Sequence, residues 1–271
     1  MDKALREAAR RLGGASDTPR LDAELLMAHA LGVRREDVLL GRAGSAVPEE
    51  FAALLERRLS GEPLAYITGT RDFWTITLHV APGVLIPRPD SETLIEAALA
   101  HFGATGPKTV LDLGTGPGTL LLAALDQWPE ATGLGIDASG TALDIARANA
   151  ARLGLGARAA FASGDWAAGL SGPYDLVLCN PPYIAENEQI GADVRAFEPH
   201  EALFAGSDGL SDYRKLAIQI PPLIAQGGLA AIEIGATQRT DVEALFADSG
   251  CAISCRSDLA GRDRAIVLSR A

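Results

Sequence analysis

The chain has 271 residues, with 24 Lys and Arg against 35 Asp and Glu, and a formal charge of −11. Its 48% hydrophobic and 22% charged residues are enough to bury a full core, which excludes a disordered or fibrous chain. The length fits one large domain, or a domain of about 200 residues with a small companion, and the acidity argues against a protein that grips a nucleic-acid backbone by bulk charge.

Charge is unevenly placed. Residues 1–71 carry equal numbers of basic and acidic side chains, so residues 72–271 hold the whole negative excess. Such a shift suggests two units with different surfaces. Cys179, Cys251 and Cys255 are the three cysteines, and no histidine lies near the Cys251/Cys255 pair. They read as buried or incidental thiols of a reducing compartment, so no metal site is expected. His29, His79, His101 and His200 are scattered, which argues against a triad or a metal cluster. No apolar run approaches the roughly 18 residues of a membrane helix. Met1-Asp2-Lys3-Ala4-Leu5-Arg6-Glu7 has early acids and no apolar core of a signal peptide. A soluble cytoplasmic protein without a membrane partner is expected.

In chain order, the first segment reads as helices. Asp17 and Pro19 open one whose apolar stripe is Leu21, Leu25 and Ala28, ending at Gly32. Pro48-Glu49-Glu50 opens a second, with Phe51, Leu54, Leu55 and Leu59 buried and Gly61 as its stop. The aromatic and β-branched run 73–80, a turn at Pro82-Gly83 and then Val84-Leu85-Ile86 predict a β-hairpin. Pro87-Arg88-Pro89 ends the ladder, and Asp90 or Ser91 suits the cap of a helix through Leu94, Ile95 and Leu99. Beyond residue 109, strands are expected at 110–113, 133–136, 158–162, 174–179, 229–234, 252–256 and 265–268. Helices are expected at 117–127, 139–153, 209–225 and 237–249. This alternation predicts an α/β, doubly wound, mostly parallel sheet, and the last two strands, with no helix between them, should form a hairpin.

Gly114-Thr115-Gly116-Pro117-Gly118 follows the first sheet strand, where glycine lets the backbone lie against a ligand at a helix N-terminus. A dinucleotide fingerprint would place its third glycine at 119, which is threonine here. Asp112 adds negative charge where a pyrophosphate is unwelcome and an ammonium is favoured. Asp137, at the tip of the next strand, suits both ribose hydroxyls; a cap for the following helix is its alternative role, shared with Ser139. Gly164-Asp165-Trp166 follows the third strand. Trp166 is placed to stack on an adenine or line its pocket, unless it is a plain core tryptophan. Together these groups match S-adenosylmethionine better than NAD, because the former has adenosine and a zwitterionic methionine but no phosphate.

The buried strand 174–179 runs directly into Asn180-Pro181-Pro182-Tyr183. One proline suffices to end a strand, so two suggest a fixed backbone with a task. An amide NH₂ or aromatic amine has a delocalised lone pair and is a poor nucleophile. The Asn180 side-chain oxygen and the Pro181 carbonyl can hold its two N–H groups, and Tyr183 can pack on its planar face. Catalysis then rests on orientation, with acceptors for the charge that develops on nitrogen. The motif alone accepts protein glutamine, DNA adenine and RNA guanine equally.

These motifs occur in an order that resembles the release-factor glutamine methyltransferases. Gly61-Glu62-Pro63-Leu64-Ala65-Tyr66-Ile67-Thr68-Gly69, Phe73-Trp74 and Pro82-Gly83-Val84-Leu85-Ile86-Pro87-Arg88-Pro89 look like that family's linker and lip. The stretch 112–118, Asp137, Trp166, Asn180-Pro181-Pro182-Tyr183-Ile184, Phe197-Glu198-Pro199, Gly206-Ser207-Asp208-Gly209-Leu210 and Glu233-Ile234-Gly235 continue it, and Asp22-Ala23-Glu24-Leu25-Leu26 matches within the helical segment. The resemblance implies a class I S-adenosylmethionine-dependent methyltransferase fold, Rossmann-like, with a mostly parallel seven-stranded sheet. It implies an N-terminal helical recognition domain over 1–70, a linking β-hairpin over 71–90 and a catalytic domain over 91–271. By position, Gly114, Thr115, Gly116, Pro117, Gly118, Asp137, Trp166 and Asn180 would contact the donor, while Asn180, Pro181, Pro182 and Tyr183 would hold the substrate glutamine. Among these, Asn180, Pro181 and Tyr183 are the expected catalytic residues.

The implied acceptor is the glutamine of the Gly-Gly-Gln motif in bacterial peptide chain release factors, with no direct nucleic-acid partner, and a monomer is expected. Ser91 stands where threonine is commoner in the family. A sister family methylates glutamine in a ribosomal protein, and its lip carries serine after the arginine, unlike Arg88-Pro89-Asp90-Ser91-Glu92 here. Arg88 is either a lip residue near the site or a charge flanking a helix. A nucleic-acid amine methyltransferase would need a basic, aromatic face, which the acidity of residues 72–271 opposes; a binding module without chemistry would not need Asn180.

Overall fold

The computed structural model describes residues 1–271. Their contacts form two compact units, Met1–Thr70 with Ile190–Phe197, and Arg71–Gln189 with Glu198–Ala271. The first contains α1 (Asp2–Leu12), α2 (Pro19–Leu31), α3 (Arg35–Leu39), α4 (Glu50–Leu59) and α5 (Leu64–Thr68). In α1, Leu5, Ala8 and Leu12 are buried at helical spacing, and in α4 Phe51 and Leu55 face the same core.

α2 buries more than the expected stripe: Ala28 is buried as expected, but so are positions outside that stripe. Leu21 is exposed and Leu25 half-buried, whereas Ala23, Leu26 and Met27 are fully buried. The difference comes from two acids on the buried side. Asp22 accepts from Arg58 Nε at 2.8 Å, and Glu24 accepts from Arg20 at 2.6 Å and Arg35 at 2.8 Å. A carboxylate paired in this way is tolerated in an interior where an unpaired one is not. Periodicity read from apolar residues alone therefore misses the two acids among its buried positions.

The hairpin of the second unit is β1 (Thr70–Phe73) and β2 (Ile76–His79). Its turn falls at Trp74-Thr75, not at Pro82-Gly83, and the residues 84–86 expected as its second strand are not a strand. Trp74 takes φ 52, unusual for a bulky residue, and three hydrogen bonds hold it there. Its N–H donates to Glu92 at 2.9 Å and its indole to Gln127 at 3.0 Å, while Thr75 donates to Asp126 at 2.6 Å. None of these partners is local, so the run 73–80 looks like one unbroken strand in the sequence. Phe73, Ile76 and Leu78 bury into the core beneath the main sheet.

After α6 (Glu92–Phe102) the chain alternates as expected: β3 (Thr109–Leu113), α7 (Thr119–Gln127), β4 (Thr132–Asp137), α8 (Gly140–Arg152), β5 (Ala159–Ser163) and β6 (Tyr174–Cys179). The short helix α9 (Ala192–Phe197) belongs to the first unit. Then come α10 (Ser211–Gln219), β7 (Ile224–Glu233), α11 (Arg239–Leu245), β8 (Ala252–Ser257) and β9 (Asp263–Ser269). The expected helix 209–225 stops at Gln219, because Pro221-Pro222 cannot supply helical N–H groups, and β7 starts five residues earlier than expected. The seven strands lie in the order β5-β4-β3-β6-β7-β9-β8, all parallel except β9, which runs antiparallel between β7 and β8. Buried apolar residues cover both faces of the sheet in two clusters, as a parallel sheet requires.

Candidate functional site

Strand order reverses between β3 and β6, and ligands of open α/β sheets bind at the carboxyl ends of strands at such a point. Leu113 pairs with Ile136 on one side and Cys179 on the other. Gly114, Asp137 and Asn180 therefore leave three adjacent strands at one edge.

The glycine loop is built on left-handed backbone: φ is 69 at Gly114, 56 at Gly116 and 88 at Gly118. A Cβ at Gly114 would lie 3.0 Å from the Trp166 ring, and one at Gly118 would lie 2.8 Å from Leu122. The Gly114 and Thr115 amides donate to the Ile136 carbonyl at 2.9 Å, and α7 begins only at Thr119. Pro117 is tied by its carbonyl to Asn149 Nδ2 at 2.9 Å; the same side chain holds both backbone groups of His79. Asn149, fully buried, thus fastens the loop to the hairpin.

Asp112 lies beneath this loop with no exposed surface. One carboxylate oxygen accepts from Thr115 Oγ1 at 2.6 Å and from the Leu121 amide at 3.2 Å, and the other has no partner. Burial raises its pKa to about 7, against the hydrogen bonds from Thr115 and Leu121. A small void lined by Asp112, Gly116, Ser91 and Asn180, among others, adjoins it.

A larger cavity of about 550 Å³ opens beside the loop. Gly114, Gly116, Asp137, Asp165, Trp166, Asn180 and Pro182 line it, with Leu85 from the lip and Glu201 from the far wall. Three of its lining residues are acidic and none is basic. Asp137 accepts from the Gly116 amide and from the Ser139 amide, each at 2.8 Å. The helix cap is Ser139, whose hydroxyl accepts from Ala142 N at 3.3 Å. Trp166 adopts φ 54 and donates its indole N–H to Asp212 at 3.1 Å. It borders the cavity while its other face packs on the core.

Asn180 lines both spaces. Its Nδ2 donates to Ser91 Oγ at 3.1 Å. Ser91 makes no side-chain cap bond to α6, contrary to expectation, and is buried between Asn180 and Glu233. Pro181 is buried, and Tyr183 is half-buried against the core, its carbonyl accepting from Gln238 at 2.9 Å. Neither lines the cavity. Burial pushes the Tyr183 hydroxyl up to about 12, so it stays neutral. Arg88 is a lip residue: it borders the void and pairs at 2.5 Å with Glu198, whose other oxygen accepts from the Ile86 amide at 3.1 Å.

The sequence over residues 3–69 matches the model for the PrmC N-terminal domain, and residues 89–198 match the methyltransferase small domain. A release factor glutamine methyltransferase from Rhodospirillum rubrum is 45% identical over 94% of this chain and 80% of its own length. One from Caulobacter vibrioides is 43% identical over 98% of this chain and 94% of its own. The chain belongs to the release factor glutamine methyltransferase family. A methyltransferase structure from Pyrococcus furiosus, 14% identical over 81% of this chain and 98% of its own, superposes with a TM-score of 0.56. That likeness is one of fold, and the fold is the class I methyltransferase sheet.

Asn149, Asp212 and Glu201 are site residues that sequence reasoning missed. Asn149 and Asp212 act through contacts across tens of residues, and Glu201 reaches the cavity wall only through the fold, which no local pattern records. The position of Ser91 before a helix suggests a cap, and its bond to Asn180 is not visible in that spacing.

Proposed function

We propose that this protein transfers a methyl group from S-adenosylmethionine to the side-chain amide nitrogen, N5, of the glutamine in the Gly-Gly-Gln motif of bacterial peptide chain release factors. The observation that carries this reading is the position of Asn180. It lines an acidic, phosphate-averse cavity and also presents an amide-gripping motif.

The residues fit the donor. Gly114 and Gly116 line the cavity without side chains, Thr115 and Pro117 line the adjoining void, Gly118 holds the turn against Leu122, and Asp112 holds a buried oxygen without a partner beside it. A cationic ligand answers that oxygen, whereas a pyrophosphate is repelled by Asp112, Asp137, Asp165 and Glu201. Asp137 keeps a free lone pair on each oxygen for ribose hydroxyls, and Trp166 offers a ring to the base. When bound, the donor supplies an electrophilic methyl carried on sulfonium sulfur.

The chain's own residues do the rest. Asn180 Oδ1 and the Pro181 carbonyl accept the two N–H groups of the glutamine amide and point its lone pair. The same two acceptors stabilise positive charge as it develops on nitrogen. Pro182 and Tyr183 hold the backbone and the planar face. Tyr183 stays protonated, so it takes no proton from the substrate. The N–C bond would form as the S–CH₃ bond breaks, the sulfur would leave as a neutral thioether, and the surplus N–H proton would pass to solvent after transfer. Orientation is the main resource, because a delocalised amide lone pair gains most from being held in line.

In this reading residues 1–70 recognise the release factor, residues 71–90 form the hairpin and lip, and residues 91–271 carry the chemistry. The acidity of residues 72–271 favours a protein glutamine over a nucleobase amine. The protein works as a cytoplasmic monomer without a metal. No helix is long and apolar enough to cross a membrane. Incubation with labelled donor and purified release factor tests the reading: label should enter wild-type factor and be absent from a factor whose motif glutamine is alanine.

A further inference from the structure

Glu233 is the last residue of β7, and its side chain has almost no exposed surface. Cys179 pairs with Ile232 across the β6–β7 ladder, so Asn180 and Glu233 leave the sheet side by side. Ser91 lies between them, accepting from Asn180 Nδ2 at 3.1 Å and hydrogen-bonding the Glu233 carboxyl. One Glu233 oxygen is buried with no partner.

An asparagine amide has two ends of opposite character, and only the oxygen end can receive the N–H groups of a substrate amide. A carboxylate is acceptor-only. An ionised Glu233 therefore accepts a hydrogen bond from the Ser91 hydroxyl, leaving a Ser91 lone pair for Asn180 Nδ2. Asn180 Oδ1 then faces the cavity. A protonated Glu233 can donate to Ser91 instead, which frees the Ser91 proton to attract Asn180 Oδ1 and turns the amide's NH₂ toward the substrate's own donors. We propose that Glu233 is a positioning residue that, through the Ser91 hydroxyl, sets which end of the Asn180 amide meets the substrate nitrogen. This rests on the functional reading above.

The ionisation of Glu233 is finely placed. Burial raises its pKa to about 7, opposed by the Ser91 hydrogen bond and by Arg264 and Arg88 and reinforced by Asp90. The other groups facing it are Tyr183 and Cys179 beyond and on β6, and Tyr213 of α10, whose hydroxyl donates to the Glu233 carbonyl at 2.8 Å. Turnover should therefore rise with pH through the neutral range.

The test measures kcat at saturating donor and release factor from pH 5.5 to 9, together with the Asn180 side-chain amide resonance over the same range without substrate. Wild type should show an acid limb in kcat and a matching titration of the Asn180 signal. Glu233→Gln and Ser91→Ala should each lose both, with kcat lower by roughly tenfold or more at pH 8, the scale typical of hydrogen-bonding partners behind a reacting group. Ser91→Thr, which keeps the hydroxyl, should restore the limb and the titration. A purely structural role would lower Tm in the variants yet leave the limb in place, and that outcome overturns the proposal. If Glu233→Gln does not fold, Ser91→Ala carries the same comparison. Should wild type fail to methylate the release factor, the resonance still decides: titration in wild type that vanishes in the variants supports the positioning role, and an Asn180 signal indifferent to pH contradicts it.

Discussion

Asp112→Asn should make the free protein more stable at alkaline pH and a poorer binder of the donor. The carboxyl of Asp112 has no exposed surface and a pKa raised from 3.8 to about 7. A group whose folded pKa is raised binds protons more tightly in the native state, so its contribution is most favourable at low pH. Stability is lost as pH climbs from the unfolded value through the folded one. A shift of roughly three units corresponds to about 4 kcal/mol lost by pH 8. Asparagine removes that loss but places an NH₂ on the side that has no partner, at a cost of about 2 kcal/mol. The variant should therefore match wild type near pH 5 and exceed it by about 2 kcal/mol at pH 8, on the order of 5 °C in Tm. Donor affinity should fall roughly tenfold or more at the same pH, because the charged partner of the ligand's ammonium is gone. Urea titrations at pH 5, 6.5 and 8, with calorimetric donor binding at pH 8, give both numbers. A stability difference that is constant with pH would refute the reasoning, as would unchanged donor affinity.

Other substitutions probe separate parts of the site. Asn180→Ala should lower kcat by on the order of a hundredfold, measured with labelled donor, while the thermal transition stays close to that of wild type. Gly118→Ala forces a Cβ to 2.8 Å from Leu122 at φ 88 and should destabilise by about 1–3 kcal/mol in urea. Arg88→Ala strands the buried Glu198 carboxylate. Since Arg88 itself is 35% exposed, the expected loss is about 2 kcal/mol rather than the full cost of a wholly buried pair, and adding Glu198→Gln should recover part of it. Asp212→Ala frees the Trp166 indole and should weaken donor binding several-fold by calorimetry.

Much of this architecture was legible because it is written in local pattern. Strand β6 matches its expected span, 174–179, to the residue, since a buried apolar run bounded by Pro173 and Asn180 admits little else. The seven-stranded alternation and the closing hairpin followed from the same periodicity. What escaped was set by distant partners. Arg58 and Arg35 let α2 bury two acids, and Glu92, Gln127 and Asp126 hold Trp74 in a turn that its sequence does not suggest.

The site divides in the same way. Gly114, Asp137 and Asn180 meet because each stands at the carboxyl end of a strand, which a sequence displays. Ser91, 89 residues from Asn180, becomes its hydrogen-bond partner only when the lip folds over the sheet edge. A serine before a helix satisfies the capping rule equally well, and only the Asn180 contact separates the two roles.

Methyl transfer to the release-factor glutamine is the central claim, and mass spectrometry of the tryptic peptide carrying Gly-Gly-Gln tests it most directly. After incubation with S-adenosylmethionine, wild-type enzyme should add one methyl to that glutamine, and Asn180→Ala should add far less in the same time. An unmodified peptide, or a methyl on any other residue, would contradict the account.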